Sequence, residues 1–442
     1  MQLYFINPSS GLQNFSYEIP LNISQLIACV KHFSFIEKIT VIDFELNGFN
    51  EEALIDIKTR GGLSVVCIPI YTYSWQESVR ICQIIKKYNK NVVIIMGGPH
   101  ATLCGEKLLQ SYEDIDYIIQ GEGDSSLPKL LYFIQTKKTK NFQINGLIFR
   151  NNNGSIKKIP RAPRIENIDK LPRQTDGFTY FDLKKIKENI GFVPYIASRG
   201  CPFNCIFCSS SHLWQRKLFY LSPNVVKKEV EKIISFGFKY INFRDDFFTM
   251  NKKWLLEILD ILKELKIIWG CETRIDFIDK ELLLKMKESG CELIRFGIET
   301  FNQKSLDLLR KNFDAQKAIE NLNIVSKIGF KEIRPSFIIG VPGETQQDIE
   351  NTLNICRRFK NIKYRFWSLS PVLGTELYNN MDSYGIKIKK NVCQSTYSNI
   401  ETSTLSNEKI NNLLVKIYAE FLHPLSLYHR DFSDICLPAS FH

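Results

Sequence analysis

Three cysteines on one short loop are the residues of this chain best suited to chemistry. Cys201, Cys205 and Cys208 are spaced as C-x3-C-x2-C and follow an apolar run, Phe192–Ala197. Three thiolates this close can hold three irons of a cubane 4Fe-4S cluster. Because a fourth thiolate is missing from the motif, one iron would stay open, which indicates catalysis rather than electron transfer alone.

Two other interpretations of the three cysteines are a zinc site, with His212 as fourth ligand, and plain packing of buried thiols. Zinc sites more often combine C-x2-C pairs from two separate places in the chain. Three packing thiols within eight residues are also unusual. The spacing therefore favours the iron–sulfur cluster.

The motif resembles that of the radical S-adenosylmethionine (SAM) enzymes. The resemblance rests on the cysteine spacing, on Phe207 before the last cysteine and on Arg199-Gly200 before the first. It implies that the open iron binds the amino and carboxylate groups of SAM. An electron from the cluster then cleaves SAM to methionine and a 5′-deoxyadenosyl radical. The implied partner is a one-electron reductant such as flavodoxin or ferredoxin.

Residues 1–140 alternate short apolar strands with helical patterns, which predicts a doubly wound, Rossmann-like parallel sheet. Ligands of such sheets bind at the carboxyl ends of the strands. Gly97, Gly98, Gly121 and Gly123 form small-residue turns at two of those ends. Taken without the rest of the chain, the four glycines need only make tight strand-to-helix turns. The predicted strands are 3–6, 39–44, 63–68, 91–96 and 117–119.

Placed before the cysteine motif, this sheet resembles the cobalamin-binding domain of many radical SAM enzymes. The resemblance implies that the four glycines contact cobalamin. The D-x-H-x-x-G motif, which supplies a histidine to cobalt elsewhere, is absent, since His100 follows Pro99 and has no aspartate two residues earlier. We therefore expect no histidine on cobalt and the loop Tyr71–Trp75 over its lower face. It stays open that the domain has kept the fold and lost the cofactor.

Residues 191–380 contain six strand–helix units, which predict a partial (β/α)6 barrel of the TIM type. Residues 141–190 contain an Asn-Gly hairpin signal followed by three prolines and are predicted to form a hairpin and a linker. Residues 381–442 are predicted to be a C-terminal extension that closes the barrel mouth. The predicted barrel strands are 192–197, 239–244, 267–273, 292–298, 332–340 and 364–370.

Polar residues at the ends of these strands match the radical SAM pattern in order. The resemblance implies that the pair Asp245-Asp246 holds the SAM amino group and that Arg274 meets a carboxylate. Glu299 would accept hydrogen bonds from the ribose hydroxyls. The turn at Gly340 would pass under the adenine, and the backbone around Phe207 would touch its edge. The two aspartates can instead be a helix N-cap pair.

The composition is that of an ordinary globular protein. Of the 442 residues, 44% are hydrophobic and 24% charged, and the net charge of +11 is spread along the chain as solvated surface. No apolar run reaches eighteen residues and the first residues lack a signal-peptide pattern, so we expect a cytoplasmic protein without a membrane partner. No basic patch with interleaved aromatics indicates nucleic acid, and the expected substrate is a small molecule or a peptide.

Together these features predict a cobalamin-dependent radical SAM enzyme that methylates an unactivated carbon. One alternative is a radical rearrangement or cyclisation without methyl transfer. Another is a methylthiotransferase, although the surroundings of Cys29, Cys67 and Cys104 do not resemble the first-cluster motif of that family. A non-catalytic sensor that binds cobalamin or an iron–sulfur cluster is the alternative from outside the enzymes.

We predict that changing Cys201, Cys205 or Cys208 to Ala abolishes SAM cleavage and removes most of the cluster iron, because each thiolate would hold one iron. Iron content and formation of 5′-deoxyadenosine measure the two effects. Cys271→Ala and Cys356→Ala are the controls, since no metal-ligand spacing involves them. The cluster assignment is wrong if Cys205→Ala forms 5′-deoxyadenosine at the parent rate.

Overall fold

The computed structural model describes residues 1–10, 17–59, 61–137, 143–389 and 397–421. Contacts divide these residues into two units. The first contains the described residues up to Phe203 and the segment Ser209–Asp246, and the second contains Asn204–Cys208 and the described residues from Phe247 onward. The finer division predicted from the sequence, with boundaries at residues 140, 190 and 380, stays a prediction.

Five parallel strands of the described residues belong to the first sheet, as predicted. They are β1 (Gln2–Asn7), β2 (Lys38–Asp43), β3 (Ser64–Pro69), β4 (Val93–Gly97) and β5 (Tyr117–Ile119). Every residue of β1 and β3 is buried, as expected for apolar strands covered on both faces. Their order is β2-β1-β3-β4-β5, so the winding direction reverses at β1. Ligands of doubly wound sheets bind beside such a reversal, at the carboxyl ends of the strands.

Among the residues described up to 137, six helices connect these strands or follow them. They are α1 (Leu21–Val30), α2 (Phe44–Asn47), α3 (Ile55–Thr59), α4 (Trp75–Tyr88), α5 (Pro99–Ser111) and α6 (Gly123–Thr136). Two helices start directly in the glycine turns, with Gly98 as the N-cap of α5 and Gly123 as the first residue of α6. Pro99 suits the first position of α5 because that position has no intrahelical N–H partner.

The Asn-Gly hairpin forms and extends the first sheet. Its strands are β6 (Leu147–Arg150) and β7 (Ile156–Lys158), and β6 pairs antiparallel with β5. We had not predicted this pairing, because periodicity shows that a hairpin forms but not which strand edge it joins. The helix α7 (Leu183–Asn189) follows in the region predicted as linker.

Ten further strands follow α7 within the described residues. They are β8 (Val193–Tyr195), β9 (Ser198–Gly200), β10 (Leu218–Tyr220), β11 (Tyr240–Phe243), β12 (Ile268–Thr273), β13 (Cys291–Glu299), β14 (Glu332–Ile339), β15 (Arg365–Ser368), β16 (Lys387–Ile388) and β17 (Ile400–Glu401). Six of them, β8 and β11 to β15, form one sheet in chain order, and this confirms the predicted six-stranded partial barrel. The ribbons β9–β10 and β16–β17 were not predicted, because strands of two or three residues show no period.

In the part of the chain that the structure describes, nine helices accompany these strands. They are α8 (Ser210–Leu213), α9 (Pro223–Ser235), α10 (Lys252–Glu264), α11 (Lys280–Glu288), α12 (Gln303–Leu308), α13 (Ala315–Val325), α14 (Gln346–Cys356), α15 (Glu376–Asn379) and α16 (Asn407–Phe421). Among the described residues, no helix combines the length and the apolar character needed to cross a bilayer. Of the extension 381–442, which we predicted to close the barrel mouth, residues 390–396 and 422–442 lie outside the described residues, and closure by the rest stays a prediction.

Candidate active site

Ile206 anchors the second half of the cysteine loop. Its side chain is 1% exposed within an apolar cluster that includes Leu309 and Leu377. The Ile206 N–H donates to Leu309 O at 3.4 Å, and Ile206 O accepts from the Leu377 N–H at 3.0 Å. Phe207, predicted to lie at the adenine edge, packs against the same cluster. The anchor fixes the backbone between Cys205 and Cys208.

The three loop cysteines differ from most other described cysteines in their exposure. Cys201, Cys205 and Cys208 are half-buried, whereas six others are buried: Cys67, Cys82, Cys104, Cys271, Cys291 and Cys356. Burial raises the pKa of five of those six, which keeps them protonated, namely Cys67, Cys82, Cys104, Cys291 and Cys356. Metal ligation needs the thiolate, so exposure favours the loop cysteines as ligands.

Among the described residues, no three His, Cys, Asp or Glu side chains converge closely enough to hold a metal ion. His212, the fourth ligand of the zinc interpretation, is exposed on α8.

Asp245 and Asp246 have different surroundings. Asp245 is 1% exposed and accepts hydrogen bonds from Ser198 Oγ at 2.6 Å and Ala197 N at 3.1 Å. Burial raises its pKa to about 7, although these hydrogen bonds oppose the shift. Asp246 is exposed and accepts from Ser210 Oγ at 2.8 Å. Asp246 is therefore the better placed of the two to meet a ligand.

The helix-cap interpretation of these two aspartates is wrong. The next helix, α10, is capped by Asn251, whose side chain accepts from the Trp254 N–H. Asp245 instead fixes the turn between β8 and β9.

Glu299 lies in a buried ion pair at the end of β13. Its carboxylate accepts from Lys311 Nζ at 2.9 Å, and the two side chains are 9% and 6% exposed. Glu299 has a φ of +74°, beside an irregularity in the β13–β14 pairing. A Cβ at Gly297 would lie 2.6 Å from Glu299 Oε1, so only glycine lets the carboxylate fold back over the strand. Lys311 was not predicted from the sequence.

Arg274 meets a carboxylate, but that carboxylate belongs to this chain. Its guanidinium donates to both oxygens of Asp276, each at 2.9 Å. It also donates to Lys311 O and lies 5.4 Å from the centre of the Phe313 ring. A SAM carboxylate at this position would have to share the guanidinium with Asp276 or displace it.

The turn at Gly340 is held by Glu344. Glu344 is 2% exposed and accepts from the N–H groups of Gly340 at 3.2 Å and Val341 at 3.3 Å. Burial raises the pKa of Glu344 to about 8. A Cβ added at Gly340 would lie 3.3 Å from Cδ1 of Ile410, a residue of α16.

The glycine turns of the first sheet adjoin polar atoms that have no partner among the described residues. Gln120, which precedes Gly121, is 7% exposed and donates its amide N–H to Thr102 O at 2.9 Å. Its Oε1 is buried and unpaired within the described residues, and so is Nε of Arg161. Both side chains line one pocket with Gly121 and Glu122. This pocket offers an acceptor and a cation to a polar ligand.

His100 is held by the loop that we predicted to cover the lower face of cobalamin. Its Nδ1 lies 3.3 Å from Thr72 Oγ1, and its ring stacks on Trp75 with centroids 5.7 Å apart. Burial lowers the pKa of His100 to about 4. These contacts explain why a lone histidine here is a packing residue of the Tyr71–Trp75 loop.

Two protein-family models match this chain in succession. The B12 binding domain matches residues 16–131, and the Radical SAM superfamily matches residues 195–356. A protein from Pyrococcus horikoshii, named an uncharacterized methyltransferase, is 30% identical over 362 residues, which are 81% of this chain and 78% of that protein. The anaerobic magnesium-protoporphyrin IX monomethyl ester cyclase of Rubrivivax gelatinosus is 25% identical over 81% of this chain and 66% of the cyclase.

Solved structures share the fold. TsrM from Kitasatospora setae, a radical S-adenosylmethionine methyltransferase solved with cobalamin and a 4Fe-4S cluster, has a TM-score of 0.72 at 14% identity, over 89% of this chain and 78% of TsrM. OxsB, a cobalamin-dependent S-adenosylmethionine radical enzyme, has a TM-score of 0.68 at 18% identity. This chain covers 56% of OxsB, and the match spans 87% of this chain.

We predict that Glu344→Gln makes the free energy of unfolding less dependent on pH. The raised pKa of Glu344, about 8, means that folding favours its protonated form. Its stabilising contribution is therefore complete below the unfolded pKa, near 4.5, and is lost as the pH rises to about 8. Gln stays neutral throughout this range.

Urea unfolding at several pH values between 5 and 8.5 should thus show a smaller decline for Glu344→Gln than for the parent protein. Asp245 has a raised pKa in both proteins, so its effect cancels from the comparison. Glu350→Gln, at a half-buried position of α14, is the matched control and should follow the parent. Parallel curves for Glu344→Gln and the parent protein would refute the shift.

Proposed function

Because this chain belongs to the radical SAM superfamily, in the group that carries a B12-binding domain and includes methyltransferases, we propose that it methylates an unactivated carbon of its substrate. The proposed cofactors are SAM, a 4Fe-4S cluster and cobalamin. The observation that carries the proposal is the presentation of three half-buried cysteines on one loop, with Ile206 anchored between the last two. The buried thiols elsewhere in the described residues do not share this arrangement.

The proposed ligands of the cluster are Cys201, Cys205 and Cys208. The proposed SAM-binding residues lie at the barrel strand ends and in the cysteine loop: Asp245, Asp246, Arg274, Glu299, Gly340 and Phe207. When bound, the cluster supplies the electron that cleaves SAM, and cobalamin supplies the methyl group. The chain's own part is to present thiolates, charged side chains and backbone groups to these cofactors.

Some charged residues of the site would bind SAM, and others hold the backbone turns beside it. Glu299, paired with Lys311 at 2.9 Å, offers its carboxylate to the ribose hydroxyls. Asp246 is the proposed partner of the SAM amino group because it is exposed, while Asp245 holds the preceding turn. Glu344 shapes the Gly340 turn by accepting from the N–H groups of Gly340 and Val341, while burial raises its pKa to about 8.

The proposed cobalamin-binding residues are Gly97, Gly98, Gly121 and Gly123. The pocket beside Gly121 fits a ligand rich in amide and phosphate groups, because Gln120 Oε1 can accept and Arg161 Nε can donate. His100 is not a proposed cobalt ligand, since its ring is held by Thr72 and Trp75. The substrate is a small molecule or a peptide, and the electron donor is a protein such as flavodoxin or ferredoxin.

A second candidate function is a radical cyclisation without methyl transfer. The observation in its favour is the similarity to a cyclase over 81% of this chain. Both reactions begin with cleavage of SAM, so they differ in whether a methyl group reaches the product.

We predict that Glu299→Ala weakens SAM binding and leaves the cluster spectrum intact. Losing hydrogen bonds to a charged acceptor costs about 1.5–3 kcal/mol, which is roughly a tenfold to hundredfold loss of affinity. The measurement is the dissociation constant of SAM for the cluster-loaded protein. Glu292→Ala is the matched control, because Glu292 forms a lysine ion pair at the other end of the same strand, at 2.7 Å from Lys287. An unchanged dissociation constant in Glu299→Ala would remove Glu299 from the site.

We predict that SAM with a deuterated methyl group delivers that methyl to the product. Anaerobically reconstituted protein is incubated with reductant, labelled SAM and extract of the source cells, and products are analysed by mass spectrometry. S-adenosylhomocysteine and 5′-deoxyadenosine should form together. Product that appears without label, from protein prepared free of cobalamin, would exclude methyl transfer and establish the cyclisation or rearrangement instead.

A further inference from the structure

Arg199, two residues before Cys201, reaches the glycine turn of the first sheet. Its two Nη atoms donate to the two carboxylate oxygens of Asp124, at 3.0 and 3.1 Å. Nη1 also lies 3.3 Å from Glu122 Oε1. The forked guanidinium suits this two-point contact, which a lysine ammonium cannot reproduce. The residue that leads into the cysteine loop is thus paired with Gly121–Asp124, the turn assigned to cobalamin.

A second arginine completes the network. Arg164 Nε donates to Glu122 Oε2 at 2.9 Å, and its Nη2 donates to Arg199 O at 3.3 Å. The guanidinium of Arg164 also lies 4.4 Å from the centre of the Trp214 ring. The side chains of Arg164, Asp124, Glu122 and Arg199 are 2%, 6%, 9% and 15% exposed. Two cations thus balance two anions in a largely water-excluded position.

The backbone around Arg199 has little freedom. Residues Ser198–Gly200 form β9 and pair with β10. Asp245 accepts from Ser198 Oγ and from the Ala197 N–H on one side of Arg199. On the other side, a Cβ at Gly200 would lie 1.9 Å from Lys217 O, so the ribbon closes tightly there. Only about 7 Å of chain separates the Cα atoms of Arg199 and Cys201.

We propose that Arg199 is a positioning residue that couples the Gly121–Asp124 turn to the cysteine loop, so that cluster assembly changes the stability of the turn and occupation of the turn changes the loop. This inference rests on the proposed function, since it takes the loop as the cluster site and the turn as part of the cobalamin site. Energetic coupling between two sites is reciprocal, and here one side chain bonds to the turn while its own backbone leads into the loop.

Stabilisation of the fold is the simpler role for such a network, and the two roles differ in one measurable respect. Buried ion pairs are not a reliable source of stability, but breaking one leaves a costly unpaired charge. If the pair is purely structural, substituting one of its residues should therefore change hydrogen exchange in the turn equally with and without the cluster. If the Arg199–Asp124 pair couples the two sites, loading the cluster changes hydrogen exchange in the turn. A variant without the two-point guanidinium contact loses that change.

The test is hydrogen–deuterium exchange of the full-length protein, compared between the cluster-loaded form and the same protein stripped of iron by a chelator. Peptides covering residues 119–127 report on the turn. In the parent protein, loading should slow exchange in this turn on the order of tenfold, a typical strength of coupling between sites. Arg199→Lys keeps the charge and should still load iron, but the difference between its two forms should vanish.

Arg150→Lys is the matched control, because Arg150 lies in β6 of the same unit and donates to backbone carbonyls, at 2.8 Å to Ile115 O and 2.7 Å to Tyr112 O. It should keep the parent response. Asp124→Asn breaks the same contact from the turn side and should lose the response without adding to the effect of Arg199→Lys. Asp124→Asn also takes the place of Arg199→Lys in the test if Arg199→Lys does not fold.

Each outcome has a definite meaning. A parent protein that loads the cluster but shows no difference in the turn overturns the coupling and leaves the proposed function standing. So does an undiminished difference in a folded Arg199→Lys or Asp124→Asn protein. A parent protein that takes up no iron–sulfur cluster overturns the proposed function, and the coupling with it.

Discussion

The burial of Ile206 is the interaction on which the second half of the cysteine loop depends. A loop usually lacks a fixed shape, because ordering each backbone residue costs about 1–2 kcal/mol. Full burial of one aliphatic side chain stabilises by about 1.5–3 kcal/mol, enough to order only its immediate neighbours. Ile206 adds two backbone hydrogen bonds, to Leu309 and Leu377, at the place where the cysteines must be presented. Anchoring one apolar residue between two cysteines keeps their sulfur atoms near the surface while the chain stays fixed.

Charge balance is the second constraint on the buried ionisable groups of the site. Glu299 and Arg274 lie buried next to opposite charges, Lys311 and Asp276. Asp245 and Glu344 are as deeply buried but rely on N–H and O–H donors, so burial raises their pKa values to about 7 and 8. Each member of the first pair thus has an opposite charge 2.9 Å away. The second pair shapes turns and is most stable when neutral.

The predictions from sequence succeeded where the signal is local and failed where it depends on contacts distant in the chain. Cysteine spacing and the alternation of strands and helices predicted the superfamily and both sheets, and the family and fold comparisons confirm them. Lys311 could not be predicted, because twelve residues and a helix separate it from Glu299. The different surroundings of Asp245 and Asp246 depend on which side chain turns inward, and two adjacent aspartates look alike in a sequence. Arg199 belonged to the recognised motif, but its partners Glu122 and Asp124 lie about 75 residues earlier.

The relatives also limit where the choice of reaction can lie. A protein named a methyltransferase and a cyclase both align with 81% of this chain. Residues that bind cofactors shared by both reactions therefore cannot decide between them, however well their geometry is defined. The choice must depend on residues that place the substrate, since a carbon radical close to a methyl donor is methylated and one close to its own unsaturated group cyclises. Specificity in such an enzyme is a matter of positioning the substrate radical. Substitutions that change the reaction outcome should therefore be sought among substrate contacts rather than among the cysteines or Glu299.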